Sequence, residues 1–398
     1  MTRYSKSVAR APGVDIEIVK IYLLRFLFAA SNFVMPFATL FVAKYYSFGS
    51  ATQGYVVMGV SASYLVGGLA GGYLGDKVDT RPLLIGLSAL MFASMLGSLL
   101  LTAPAFNVAA LTLSTVAAGA AGPVLSAYIS GVVNRGSQQA VFGNLYLTYN
   151  LAIAFIYIVG GFVLDRDAGF ALKVFTFMAL LSVLGSLVLN RPQARPMVSN
   201  DTSVASAPRI PALVLIGFGL FFGLAVLDAQ RSYLLPTWLE SLDALTAAKT
   251  FGMLGIVNAC TVIVATKPLI AFVERFSSIT NMGIAALLYG IGFGGYFFLH
   301  DLVSMGLLAV IWTAGEILAA TYMNVIIAES VPESIRSRVF SLIPSLLTIG
   351  KIVAIEFAQR IIAWAGISRS WLIYNIVAVG VLLTAMVLGR TRHVIRDE

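Results

Sequence analysis

GGLAGGYLGDKVDTRP, residues 67–82, decides how this chain is read. It opens as apolar, glycine-dense helix and closes in charge. Gly68, Gly71, Gly72 and Gly75 fall three or four apart and crowd one helical face. Without side chains there, a second helix can approach closely, as small residues allow inside membranes. Asp76, Lys77, Asp79 and Arg81 then fill a short turn, and Pro82 begins the next apolar run. The pattern is a helix leaving a bilayer, a charged turn, and a helix going straight back.

Composition extends that reading to the whole chain. Of 398 residues, 59% are hydrophobic and 11% charged, with mean hydropathy +0.90. A soluble domain carries about 25% charged residues, so this chain cannot cover a water-facing surface but can cover a lipid-facing one. The net charge of +8 reads as membrane topology and contact with lipids. Nucleic acid is not an expected partner, because no basic patch with interleaved aromatics stands outside the apolar runs. Cys260 is the single cysteine, which rules out an intramolecular disulfide, and His300 and His393 lack metal-ligand spacing. No metal or other cofactor is expected. Residues 1–14 are polar and basic, and the apolar run that follows is too long for a signal-peptide core, so no removable signal is expected.

Twelve apolar spans follow one another at 18–43, 53–75, 82–103, 106–133, 139–164, 169–190, 211–239, 247–273, 281–299, 303–329, 337–363 and 369–389. Each is near the ~20 residues that cross a bilayer. The polar stretch Arg191–Pro208 has no apolar period and divides the chain into six plus six. The expected organisation is an N-terminal bundle over 1–190, a cytoplasmic linker over 191–208 and a C-terminal bundle over 209–398. With both termini inside, the inner turns and tails hold Lys77, Arg81, Arg135, Arg191, Arg275, Arg336 and Arg390 among others. The outer ones hold Lys44, Arg166, Lys173, Lys249, Arg360 and Arg369. That bias places both termini in the cytoplasm. A weak internal repeat agrees: shifted by about 198 positions, Asp76–Lys77 falls on Glu274–Arg275 and Val141–Phe142 on Val339–Phe340.

Residues 72–81 resemble the signature loop between helices two and three of the major facilitator superfamily, roughly G-x-L-x-D-R-x-G-R-[RK]. Gly72, Leu74, Asp76, Lys77 and Arg81 match it, with Lys for Arg at 77, while Asp79 and Thr80 depart from it. The resemblance implies an all-α membrane protein of twelve transmembrane helices in two six-helix bundles. It also implies a gating role for Gly72, Asp76, Lys77 and Arg81, latching the halves together on the cytoplasmic side. The run Ala314–Asn324 resembles the tenth helix of proton-coupled multidrug antiporters of that superfamily, some of which carry a Gly-Glu pair where Gly315-Glu316 stands. Two features depart from those antiporters: Ile156-Tyr157 replaces the usual Gly-Pro ahead of Gly160-Gly161, and the fourth span has Thr115 but no arginine.

Ionisable residues inside apolar spans are costly and usually face a cavity or a partner. Glu316 lies midway along the tenth span and shares a face with Trp312 and Met323. It is either a proton carrier or a structural acid paired with a neighbouring helix. Asp228 and Arg231, at i and i+3 in the seventh span, form either a self-contained pair or a charged cavity wall. Arg25, with Asn32 on the same face, either reaches for the cytoplasmic surface or meets an anionic group. Lys351 is central in the eleventh span and stands as a candidate counter-ion to Glu316, whereas Lys267 is expected to snorkel. The fifth span carries a polar aromatic stripe of Tyr146, Tyr149, Asn150 and Tyr157, which suits a pocket for an amphipathic ligand or hydroxyls bonded to neighbouring helices.

These residues define the expected site. Glu316 and Asp228 couple protons, and Arg25, Asn32, Tyr146, Tyr149, Asn150, Tyr157, Arg231, Trp312, Met323 and Lys351 line the substrate cavity. The expected function is secondary transport, as proton-coupled efflux of amphipathic or drug-like compounds from the inner membrane of a prokaryote by a monomer. The alternative is transport of an anionic metabolite, peptide or lipid-linked solute; a non-transporting sensor is a remoter one. No phosphate-binding G-x-x-x-x-G-K-[ST] loop is present, so the drive is an ion or substrate gradient. No nucleophile or metal motif supports an enzyme.

Overall fold

The computed structural model describes residues 16–133, 135–191 and 210–396. Helices α1 (Ile16–Ser31) and α2 (Val34–Tyr46) make the first crossing. Then follow α3 (Ser50–Lys77), α4 (Thr80–Leu100), α5 (Pro104–Val132), α6 (Arg135–Leu164) and α7 (Ala168–Leu187). The second half runs α8 (Ala212–Asp228), a 3-10 turn Ala229–Ser232, α9 (Leu234–Leu242), α10 (Ala247–Val273) and α11 (Ser278–Gly294). It ends with α12 (Leu302–Ser330), the short α13 (Glu333–Phe340), α14 (Leu342–Ala365) and α15 (Ile367–Arg396). Ten segments among the described residues are long and apolar enough to cross a membrane. Helix α11, at 17 residues, and α14, which carries Lys351, Glu356 and Arg360, complete the twelve crossings. Outward faces bear Leu69, Val264, Val303 and Ile376, all mostly exposed, as lipid contact requires.

Three crossings break at the same place relative to a proline. Proline has no N–H and crowds the carbonyl four residues back. Pro36 breaks the first crossing at Asn32–Phe33, Pro236 opens the 3-10 turn before α9, and Pro344 parts α13 from α14 at Ser341. Interrupted helices inside a membrane are tolerated where they line a cavity or rest on protein. The first two breaks carry Asn32 and the Asp228–Arg231 pair.

Within the N-terminal bundle, α3 packs closely on α5. The seam is made by Gly67 and Gly71 of α3 with Gly119 of α5. A Cβ on Gly67 would lie 2.1 Å from the Val116 carbonyl oxygen, and one on Gly71 would lie 2.5 Å from Ala120 backbone. The sequence reading put the close face at Gly68, Gly71, Gly72 and Gly75. The packed row is instead Gly67–Gly71–Gly75, the strict i, i+4 ridge, while Gly72 meets nothing within 4 Å.

The bundles meet chiefly through α6 against α10 and α3 against α14. Gly161 lies against Gly252 and Ala248, and a Cβ on Gly252 would lie 2.5 Å from the Tyr157 carbonyl. These contacts sit at the end of the molecule away from the described termini, hereafter the distal end. Direct bridges cluster there too. The Asp165 carboxylate, just past α6, accepts from the backbone N–H groups of Ala248 (3.0 Å) and Lys249 (2.6 Å) in the first turn of α10. Thr246, the residue before α10, makes no side-chain cap of its own. An acid of one bundle thus caps a helix of the other. Lys44 joins Asp165 at 2.9 Å, reaches Glu240 at 3.7 Å and donates to the Ala244 carbonyl. Tyr233 donates to the Ser50 carbonyl at 2.8 Å.

Candidate functional site

The break in the seventh crossing builds the site. Without an N–H on Pro236, the Ser232 carbonyl has no helical donor, and Thr39 of α2 donates to it at 2.9 Å. The 3-10 turn before it positions Arg231 between two acids. Its Nη2 meets Asp228 Oδ2 at 3.1 Å, and its Nη1 meets Glu316 Oε1 on α12 at 3.0 Å. The other oxygens are also engaged. Tyr289 donates to Asp228 Oδ1 at 3.2 Å, and Asn258 Nδ2 donates to Glu316 Oε2 at 2.8 Å and to Thr313 at 2.9 Å. One guanidinium therefore serves two carboxylates drawn from two helices. The side chains keep 18% (Asp228), 29% (Arg231) and 26% (Glu316) of their surface exposed, so none of the three is sealed by its neighbours.

They line a cavity of about 130 Å³ with Tyr289, Phe221 and Ala320, which runs to Asn324, Ile343 and Leu347 towards the end that bears the termini. A second cavity of about 100 Å³ lies in the N-terminal bundle, lined by Arg25, Asn32, Tyr64 and Tyr149 with Phe28, Met35 and Ile153. The Arg25 guanidinium sits 4.7 Å from the centre of the Tyr149 ring. Tyr157 stands between the two regions. It lies within electrostatic reach of Arg231, Glu316 and Asp228 on one side and of Tyr149 on the other, with its ring packed against Phe37 and Phe251.

The remaining expected residues fall elsewhere. Trp312 stacks on Phe293 at 5.4 Å and donates to the Tyr296 hydroxyl at 3.1 Å. Met323 is fully buried, near Gly217 of α8. Lys351 lies within electrostatic reach of Asp228 and Arg231 and forms no ion pair with Glu316, whose partners are Arg231 and Asn258. Asn150 is half-buried on α6, and the side chain of Tyr146 lies outside the described residues. At the last turn of α3, Asp76 and Lys77 are exposed, with Lys77 over the Tyr73 ring at 4.1 Å. Arg81 donates to the carbonyls of Leu189 (2.7 Å) and Leu187 (3.0 Å), so in this conformation it closes the end of α7 in its own bundle.

Sequence reading missed Asn258, Tyr289, Tyr64 and the Lys44–Asp165–Glu240 cluster. Asn258 had a legible signal, a lone amide in the apolar run GIVNAC. The cluster had none, because its members come from three loops and helix ends remote in sequence.

The sequence profile of the Major Facilitator Superfamily matches residues 21–355. A Na⁺, Li⁺, K⁺/H⁺ antiporter of Planococcus maritimus is 23% identical, with 91% of this chain and 93% of that one covered. Among solved structures, a variant of the nucleoside transporter NupG superposes with a TM-score of 0.77 at 14% identity, covering 93% of this chain and 99% of its own. A variant of the peptide transporter POT in complex with sulfate superposes with a TM-score of 0.76 at 13% identity, covering 94% and 95%.

Proposed function

The chain belongs to the Major Facilitator Superfamily, and on that premise we propose that it is a proton-coupled exporter of amphipathic small molecules. Membership makes it a multi-pass membrane protein and a secondary transporter, not an enzyme. The observation that carries the proton-coupled reading is the shared guanidinium: Arg231 lies 3.0 Å from Glu316 and 3.1 Å from Asp228. Two carboxylates share this one guanidinium, and Lys351, within electrostatic reach of Asp228 and Arg231, is the further cation beside them, so a proton taken up by Glu316 replaces one half of the sharing and leaves Arg231 to Asp228. Water reaches Glu316 through the cavity, and Asn258 can hold its carboxyl in either protonation state.

In this mechanism a proton on Glu316 frees Arg231 to pair with Asp228 alone. That loosens the tie between α12 and the interrupted seventh crossing, and the exchange between access states follows. Positive-charge bias supports placing the end that bears the termini in the cytoplasm, so the distal closure makes this conformation inward-open. Asp76 and Lys77, exposed here, are free to latch across the cytoplasmic side in the opposite state. The cation antiporter among the relatives supports exchange against protons, and the aromatic walls of Tyr64 and Tyr149 support an amphipathic solute.

The test is flux of an amphipathic dye in proteoliposomes, with and without a pH gradient. Wild type is expected to concentrate dye against its gradient only when a pH gradient is imposed. Glu316→Gln is expected to retain downhill movement and lose the gradient-driven part. Gradient-driven flux at the wild-type rate in Glu316→Gln would remove Glu316 from the coupling step.

A further inference from the structure

The N-terminal cavity holds a charge that the proton cycle does not use. Arg25 projects from α1, and its Nη1 lies 3.9 Å from where a Cβ on Gly122 would be. It therefore crosses towards α5 and α6 and lies over Tyr149. Among the described residues no carboxylate forms an ion pair with it: Glu17, the acid of α1, is engaged with Lys20 and Tyr128. Arg231 and Arg25 thus differ in kind. The first is shared by two acids, while the second faces an open space with an aromatic ring as its nearest charge-compensating group. An unpaired guanidinium inside a membrane is disfavoured unless water or an anion reaches it. The surrounding groups suit an anion. Tyr64 and Asn32 offer a hydroxyl and an amide as further donors, Ala118 and Ala121 leave room, and Phe28, Met35 and Ile153 supply an apolar wall.

We propose that this cavity binds the acidic group of an amphipathic ligand, a carboxylate or sulfonate, with Arg25 as its ion-pair partner and Phe28, Met35 and Ile153 against its apolar body. The proposal names the substrate class for the transport reading above, and rests on that reading only for the ligand's passage, not for its binding. A planar guanidinium donates two parallel hydrogen bonds to such a group.

The full chain in phosphatidylcholine nanodiscs is titrated with dansyl-glycine and with its neutral amide, with no pH gradient present. Wild type is expected to bind the acid about ten- to a hundredfold more tightly than the amide, the range for a net hydrogen bond to a charged group. Arg25→Gln is expected to bring the acid down to the affinity of the amide while leaving the amide unchanged. Arg25→Lys, which keeps the charge and loses the fork, is expected to retain part of the preference and controls for misfolding. Repeating the titration in phosphatidylglycerol nanodiscs separates two sources of the same chemistry. Acid preference kept there supports a soluble acid as the ligand; preference lost only there gives the site to a lipid phosphate and overturns the assignment to a transported acid. The proposal is overturned if wild type binds neither probe, if it binds both equally, or if Arg25→Gln keeps the preference. Because no gradient enters this measurement, it can fail while proton-driven flux stands, and the reverse.

Discussion

Replacing Asp165 by alanine should open the distal end of the transporter. The substitution removes the acceptor for two backbone N–H groups of α10, at 3.0 and 2.6 Å, and the nearest partner of Lys44, at 2.9 Å. A lost N-terminal cap costs about 0.5–2 kcal/mol, and a carboxylate at a helix N-terminus contributes up to about 2 kcal/mol where it is partly buried. Lys44 is not left alone, since Glu240 stands 3.7 Å away and the Ala244 carbonyl still accepts from it. The full penalty for breaking a buried pair therefore does not apply. Taking the terms as overlapping, the closed distal end loses about 1–2 kcal/mol, or about 5- to 30-fold in its population ratio. Spin labels on the two exposed distal turns, at Thr102 and Leu299 in a Cys260→Ser background, report the separation by pulsed electron resonance. Wild type is expected to give one short distance, and Asp165→Ala a second, longer one. Asp165→Asn, which keeps an acceptor oxygen without the charge, should fall between. A distance distribution in Asp165→Ala indistinguishable from wild type would refute the assignment of Asp165 as a lock.

Gly255→Ala would place a Cβ 2.2 Å from the Tyr157 ring, which Phe37 and Phe251 hold in place. The same labels should then show a longer separation, for an overpacking cost of about 1–3 kcal/mol. Adding Tyr157→Ala should restore the short one, because the clash is pairwise. Outside the membrane, Asp243 accepts from the Thr246 hydroxyl and the Leu245 N–H, and those bonds hold its carboxyl below the ordinary aspartate value. A depressed folded value means its stabilisation is present above the unfolded value and lost as pH falls through the folded one. The Tm difference between wild type and Asp243→Ala should therefore be present at neutral pH and shrink below about pH 4.

Length and hydropathy mark the crossings in the sequence, but the breaks are not legible there: Pro36, Pro236 and Pro344 each follow one, while Pro123 and Pro268 sit inside unbroken helices. The charged residues inside the spans led directly to Asp228, Arg231 and Glu316. The error at Trp312 and Met323 shows what a helical wheel omits. Both share an azimuth with Glu316, yet Trp312 lies level with Phe293 and Tyr296 and Met323 level with Gly217, so each meets a different neighbour at its own depth. Glycine spacing misled for a related reason. Gly67 and Gly68 are adjacent in sequence, and only the partner helix determines which of the two rows is the seam. Asn258 stands out as a lone amide in an apolar run and Tyr289 is an ordinary core residue by composition, and both join the site only through α10 and α11 lying beside α12.

The glycine contact between α6 and α10 has a mechanical consequence. Gly161 lies near one tip of a long rod, and roughly 40 Å of helix extends from it to the far tip at 1.5 Å per residue. A rocking of only about 10° around that point swings the far tip by about 7 Å, within the scale of rigid-body rotations seen in switching proteins. Backbone touching backbone makes a narrow fulcrum, so a small change in charge beside it can be geared into a wide aperture.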